Sequence, residues 1–215
     1  SKSYINSNNK SENMVINDTS LSVESGDSVG ITGPSGVGKS TLLNIISGLD
    51  YPDRGEIFFN DICFSNLSYS QKTQFRLENI SLVFQSHNLL RDFNVSENIL
   101  LPLMYKGLTK KQASKIASES LEHVDMISHS NSSISTLSGG EAQRVGIARS
   151  ISMQSKIILA DEPTGNLDNK SSLSILSYLT KACLEKNITL VVVSHDDNIL
   201  GLLKDIKKLV NGKII

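Results

Sequence analysis

Between Ser28 and Ser47 the chain passes from a short apolar run, Ser28–Thr32, through a glycine-rich octet into a stretch with Leu42, Leu43, Ile45 and Ile46 apolar. The octet, Gly33, Pro34, Ser35, Gly36, Val37, Gly38, Lys39 and Ser40, fits G-x-x-x-x-G-K-[ST] and is followed by Thr41. Few folds accommodate a strand, a glycine-rich loop and a helix in that order. The glycines let the backbone wrap closely around phosphate oxygens with its N–H groups turned inward. Lys39 supplies a mobile positive charge for β- and γ-phosphates. The Ser40 hydroxyl can ligate Mg²⁺, Thr41 can reach an α-phosphate, and the positive end of the following helix adds to the anion site. The feature predicts a nucleotide-binding α/β fold.

The rest of the chain agrees with that class. Its 215 residues suit one large domain, and its hydrophobic fraction of 39% supports a sizeable core. The net charge of −1 argues against a nucleic-acid partner. Cys63 and Cys183 lie far apart in sequence and form no metal-ligand spacing, which fits a reducing compartment. No apolar run approaches the roughly 20 residues that span a bilayer. The longest, Ile99–Tyr105, is broken by Pro102, so a membrane role requires separate membrane-spanning partners. The chain opens on a polar stretch without Met, and no leader is expected.

Short strands alternate with helical patterns. Gly48 suits a helix C-cap after Lys39–Ser47. Glu56–Phe59 and Ile62–Phe64 flank an Asn60-Asp61 turn and read as a hairpin, and Asn211-Gly212 marks another. Asn94 with Glu97, and Thr109 with Gln112, are spaced as capping boxes. Ala113, Ile116, Ala117, Leu121 and Val124 then recur at helical spacing. Ile157–Ala160 and Ile188–Val193 are nearly all apolar, as expected of central parallel strands. Asn6–Glu12 is polar and reads as a surface loop.

Four further positions complete a chemistry. Asp161 and Glu162 end the Ile157 strand: the first can hold Mg²⁺ through water, the second can polarise an attacking water as general base. His195 follows the Ile188 strand, where it can contact a γ-phosphate and hold Glu162 and the water. Gln85 ends Ser81–Phe84, and its amide can coordinate Mg²⁺ and sense whether a γ-phosphate is present. His87, His123 and His129 lack such a context.

Leu137–Arg144 is a second anion site. Ser138 offers a hydroxyl, Gly139 and Gly140 offer unobstructed N–H groups, and a helix is expected from Glu141. One chain cannot easily bring both sites to one phosphate. Two chains packed head to tail can, as an isologous homodimer. Tyr4, upstream of the glycine loop, can stack on adenine; stacking needs the ring, so Phe should serve there equally well.

These motifs in this order resemble the nucleotide-binding domain of ABC transporters over essentially the whole chain. The resemblance implies ATP hydrolysis in a head-to-tail dimer attached to transmembrane permease subunits at the cytoplasmic face of the membrane. It implies a P-loop NTPase (RecA-like) α/β core with an antiparallel β subdomain and an inserted helical subdomain over approximately residues 86–136. It also implies a strand before Tyr4, so an N-terminal stretch is expected to be lost. By the same resemblance Tyr4 is the adenine-stacking aromatic, Gln85 the Q-loop glutamine and Leu137–Arg144 the signature. Ser138, Gly139, Gly140 and Glu141 meet the nucleotide of the other chain. Asp161 and Glu162 form Walker B, Gly165–Asp168 forms the D-loop with Asp168 near the nucleotide, and His195 is the switch histidine.

Within the family, Ala160–Asp168, Phe84–Leu90 and Glu97–Leu103 are similar to the group of lipoprotein-releasing (LolD-type) ATPases, macrolide exporters (MacB-type) and the cell-division ABC ATPase. Leu89–Phe93 leans toward lipoprotein release, with a macrolide or peptide exporter as the alternative. Asn131–Thr136, ahead of the signature, lacks the family's usual Pro and acidic residue. Soluble ABC-type ATPases acting on DNA or ribosomes carry long coiled-coil insertions or two cassettes, and this chain has neither.

Overall fold

Six strands form the central sheet, in the order β10-β9-β3-β8-β7-β6. They are β3 (Ser28–Thr32), β6 (Ile80–Val83), β7 (Ile157–Asp161), β8 (Thr189–Val193), β9 (Asp205–Val210) and β10 (Lys213–Ile214). All neighbours pair in parallel except β10, which turns back on β9. The structure, a computed structural model, describes residues 1–5, 11–165, 167–196 and 200–215.

Strand alternation sorts the core onto two faces. Ile158 and Ala160 of β7, with Leu190 and Val192 of β8, meet Ile147 and Ile151 of α5 (Gly139–Ser152) and Ile175, Leu176 and Leu179 of α6 (Asn169–Glu185). Leu159, Val191 and Val193 turn the other way, onto Leu42, Leu43 and Ile45 of α1 (Lys39–Ser47). Every residue of β8 is buried, which explains why that strand reads as continuously apolar. Each such aliphatic side chain contributes about 1.5–3 kcal/mol relative to exposure.

A second core lies beside the sheet. Val95, Ile99 and Leu103 of α3 (Val95–Tyr105), with Ala113, Ala117 and Leu121 of α4 (Lys110–His123), close on Val145 and Ala148 of α5. Both expected capping boxes are present, Asn94 with Glu97 and Thr109 with Gln112. Helix α3 carries Pro102 within it.

The antiparallel part consists of two ribbons, β1 (Lys2–Ile5) with β2 (Glu12–Ile16), and β4 (Phe58–Phe59) with β5 (Ile62–Cys63). Most of the expected 6–12 loop lies outside the described residues, and Glu12 already belongs to β2. The β4–β5 hairpin is shorter than its sequence suggests. Phe64 leaves the strand for a short 3₁₀ turn, where its ring packs against those of Phe59 and Phe75. Helix α2 (Tyr69–Asn79), opened by a Ser68–Gln71 capping box, was not read from the sequence. The Asn211-Gly212 hairpin is as expected, with φ of 48° and 75° suiting a type I′ turn.

Gly48 ends α1 in the left-handed region, φ 71°, and a Cβ there would stand 2.5 Å from the ring of the buried Phe64. The left-handed penalty and the overpacking together should cost about 2–4 kcal/mol in Gly48→Ala. Urea denaturation should show a lower midpoint at unchanged slope; an unchanged midpoint would mean that the Phe64 cluster yields freely.

Candidate active site

Parallel pairing brings the chemistry together. Ile31 is in register with Val193, Asp161 with Val193, and Val83 with Ala160. The segments after β3, β8, β7 and β6 therefore leave the sheet at one edge, the usual ligand-binding edge of an open α/β sheet. They carry the Gly33–Ser40 loop, His195, Glu162 and Gln85.

The loop is shaped by Gly36 at φ 76° and Gly38 at φ 108°. A Cβ on Gly33 would meet Leu209 O at 2.5 Å. Gly38 is the N-cap of α1 and makes no side-chain cap bond, and the first turn holds no acidic residue. That helix end is suited to an anion. Lys39 is buried, and its Nζ donates to Gly33 O at 2.8 Å and Pro34 O at 3.1 Å, so the ammonium lies inside the curve of the loop.

Asp161 is hydrogen-bonded by the Ser40 hydroxyl. Burial pushes its carboxyl above the ordinary range, and that bond and the Lys39 charge only partly oppose the rise. A serine hydroxyl beside one carboxylate fits Mg²⁺, which takes most of its ligands from phosphate oxygens and water. Among the described residues no cluster of three or more His, Cys, Asp or Glu offers an all-protein metal cage.

Glu162 sits at φ 45°, a left-handed conformation costing a bulky residue roughly 1 kcal/mol or more. Its N–H bonds Val193 O at 2.9 Å, which fixes the turn against β8. Its carboxylate is gripped on both oxygens. His195 Nδ1 donates to Oε1 at 2.7 Å and Ser194 Oγ donates to Oε2 at 3.1 Å. The carboxylate is largely enclosed and the imidazole is exposed. Gln85 approaches the same turn: a Cβ on Gly165 would lie 3.6 Å from Gln85 Nε2 and 3.5 Å from Glu162 O.

Tyr4, on β1, is hydrogen-bonded with Thr41 and donates from its hydroxyl to Asp50 Oδ2 at 2.5 Å. Burial, then the Asp50 bond, raise the phenol above its ordinary range. Burial also pushes Asp50 up, but bonds from Tyr4 and from Lys2 Nζ, at 2.9 Å, overcome it and hold that carboxyl low.

Ser138, Gly139, Gly140 and Glu141 open α5, which starts at Gly139 rather than at Glu141. The reason is a capping box: Ser138 N and Oγ donate to Glu141 Oε2 at 2.7 and 2.8 Å, while Glu141 N donates to Ser138 Oγ at 3.3 Å. The Ser138 N–H, then its hydroxyl, hold the Glu141 carboxyl below its usual range. Gly140 lies against Leu167, where a Cβ would come within 2.9 Å of Cδ2. In the 165–168 stretch Asn166 lies outside the described residues. Asp168 caps α6, accepting from Lys170 N, Ser171 N and Ser171 Oγ, and the last of these leads in holding its carboxyl low.

Sequence reasoning passed over Ser194 and Asp50. Ser194 was findable as the hydroxyl next to His195; no sequence pattern marks Asp50. A groove of about 1400 Å³ opens elsewhere, along Met14, Leu21, Val23 and Phe58, and none of the residues expected in the site lines it.

Residues 16–165 match the family model described as ABC transporter. The chain is 39% identical over 206 residues to the lipoprotein-releasing system ATP-binding protein LolD of Wigglesworthia glossinidia brevipalpis, covering 96% of this chain and 90% of the relative. It is 42% identical over 205 residues to the protein so named in Treponema denticola, covering 95% and 91%. Its fold is similar to the dimeric structure of MJ0796, a bacterial ABC transporter cassette, at 36% identity and a TM-score of 0.93, covering 99% of this chain and 93% of that one. A dimer of the MJ0796 cassette in a post-hydrolysis state bound to ADP and Pi gives 0.92 with the same identity and coverage.

Proposed function

The chain belongs to the ABC transporter family as an ATP-binding, ATP-hydrolysing subunit, and from that premise we propose that the edge shared by β3, β6, β7 and β8 is its catalytic half-site. The observation that carries this reading is the doubly gripped carboxylate of Glu162, next to the Ser40–Asp161 pair. The Gly33–Ser40 backbone and Lys39 hold the phosphates, Thr41 reaches the α-phosphate, and Tyr4 stacks on adenine. Ser40, Asp161 (through water) and Gln85 would hold Mg²⁺, which would supply positive charge to offset that of the β- and γ-phosphates. Glu162 orients the attacking water and takes its proton. The His195 Nδ1 bond to Glu162 leaves Nε2 as the ring nitrogen for the γ-phosphate.

The site is completed by a second copy. Ser138, Gly139 and Gly140 at the start of α5 meet the γ-phosphate held by the other chain, with Glu141 and Asp168 at the same junction. The solved MJ0796 cassettes are dimers, which supports this. Closing the dimer drives a membrane permease from the cytoplasmic face of the inner membrane. Among the described residues no helix is long and apolar enough to cross a bilayer. Residues 86–136 form the arm that meets the permease. Leu89 packs into the helical core, whereas Leu90 and Phe93, 49% and 39% exposed, point outward as anchors. Lipoprotein release from the membrane is the favoured task, supported by the LolD names and by Leu89–Phe93. A macrolide or peptide exporter is the second reading, since Ala160–Asp168 is common to both groups.

Glu162→Gln should abolish multiple-turnover ATP hydrolysis while keeping ATP binding. With ATP and Mg²⁺ the variant should double in mass by light scattering, and it should be mainly monomeric without nucleotide. Wild-type turnover in this variant would remove Glu162 from the base role, and no ATP-dependent mass change would remove the composite site.

Tyr4→Ala should weaken ATP binding by about 1–2 kcal/mol through loss of the stack. The hydroxyl bond to Asp50 changes the expectation for Phe. Tyr4→Phe keeps the ring but frees it from its anchor, so its affinity should fall between wild type and Ala. Equal affinity of all three proteins by titration would mean that Tyr4 only packs.

Leu90→Asp should leave the chain folded and able to bind ATP, yet abolish co-purification with its cognate permease. Intact complex formation would place the docking surface elsewhere.

A further inference from the structure

Helix α5 serves two cores at once, through Ile147 and Ile151 toward the sheet and through Val145 and Ala148 toward α3 and α4. One side of it is also tied by polar bonds to β6 and to the loop that follows Gln85. Ser150 Oγ donates to Leu82 O at 2.9 Å. Arg149 donates from Nη2 to His87 O and from Nη1 to Asn88 O, both at 2.9 Å. One turn and a half earlier, Gln143 Oε1 accepts from His87 Nδ1. Between them Gly146 leaves room for the His87 carbonyl, 3.8 Å from where a Cβ would be. Residues 143, 146 and 150, with 149 beside them, fall on one helical stripe.

The bonded loop residues are strained. His87 and Asn88 are both left-handed, at φ 63° and 46°, and neither is glycine. Such a pair persists where its surroundings over-determine it. A guanidinium fork on two successive carbonyls does this, because each bond fixes the direction of one peptide plane. Arg149 is partly buried, and burial pushes its pKa down, though a guanidinium keeps its charge at any physiological pH. Apolar packing alone would not select a partly buried cation facing two neutral carbonyls.

We propose that Arg149, with Gln143, is a positioning residue that locks the Gln85 loop to α5, so that Gln85 and Ser138–Gly140 move as one body. On the roles given above for Gln85 and Ser138, the lock sets the distance and angle between Gln85, at metal and γ-phosphate, and the α5 N-terminus that meets the partner's nucleotide. Lys39, Ser40 and the phosphate loop stand on β3 and α1, outside the lock. Nucleotide affinity of the single chain without Mg²⁺ is therefore independent of it.

The test measures binding, dimerisation and turnover separately. Arg149→Met and Arg149→Lys are made in the wild-type chain for turnover and in the Glu162→Gln chain for light scattering. Binding of a fluorescent ATP analogue to the monomer without Mg²⁺ should stay at the wild-type value. The ATP-dependent dimer should weaken, and kcat fall, by about 10-fold in Arg149→Met, a loss typical of coupling between sites. Arg149→Lys, which keeps a donor but not the fork, should fall between. Adding Gln143→Met to Arg149→Met should cause no further loss of dimerisation, because both act through one lock. Wild-type dimerisation in either Arg149 variant, or losses that multiply with Gln143→Met, would overturn the proposal. Should Arg149→Met fail to fold, Arg149→Lys carries the same comparisons. A wild-type chain that neither binds the analogue nor dimerises would instead refute the site roles on which the lock rests.

Discussion

Parallel pairing of β3, β8, β7 and β6 is the constraint on which the site depends. Parallel neighbours point their C-terminal ends the same way, and the registers of Ile31, Val193, Asp161 and Val83 bring four strand ends level. The Gly33 loop, His195, Glu162 and Gln85 are separated by up to 162 residues in sequence, yet they share one edge for that reason alone. A one-residue slip of β7 would exchange Ile158 and Ala160 for Leu159 across the sheet and misplace Asp161 and Glu162 with them. The core on the two faces is thus what holds the catalytic geometry. Its aliphatic alternation, onto α5 and α6 on one side and α1 on the other, makes such a slip costly.

On that frame the site divides into two parts. Gly33 and Lys39 are buried, Lys39 bonds the Gly33 and Pro34 carbonyls, and Ser40 bonds Asp161 at the end of β7. Glu162 is fixed differently, by a strained backbone whose carboxylate is steadied through Ser194 and His195. Of those two partners Ser194 is buried and His195 is exposed. The grip on Oε2 therefore comes from the buried end of β8, whereas the grip on Oε1 comes from an exposed ring. The Glu162 carboxylate is thus oriented from two sides, one of them enclosed in the fold.

Much of this was legible in the sequence because phosphate chemistry restricts residue types locally. Gly33, Asp161, Glu162 and His195 lie at or just past strand ends, which show in apolar runs, and Lys39 and Ser40 open the helix after the glycine loop. The capping boxes at Asn94 and Thr109 were legible from side-chain spacing for the same local reason. The box at Ser138 has the same spacing as the other two, yet its glycines read as loop and hid the first turn of α5. Helix α2 lacked a strong apolar stripe and went unread. The Tyr4–Asp50 bond spans 46 residues and the Arg149 bonds span 61 and 62, so neither has a sequence signature. What the sequence hides here is the set of long-range polar contacts that steady the reactive groups.

Those contacts bear on how α5 can work at all. A helix shared by two apolar cores is held by non-directional burial, which resists separation but tolerates small slides and rotations. Directional bonds do what burial does not. Arg149 on two fixed carbonyls, Gln143 on His87 and Ser150 on Leu82 set the rotation and the axial position of α5 relative to β6. The opposite side of α5, against α3 and α4, is joined by apolar packing, by bonds from Arg144 to Val124 O and from Lys106 Nζ to Met153 O, and by ion pairs of Arg144 with Asp125 and of Glu141 with His129. Both flanks of α5 are thus tied by directional bonds, so its N-terminus keeps one orientation relative to β6 and to the α3–α4 pair alike.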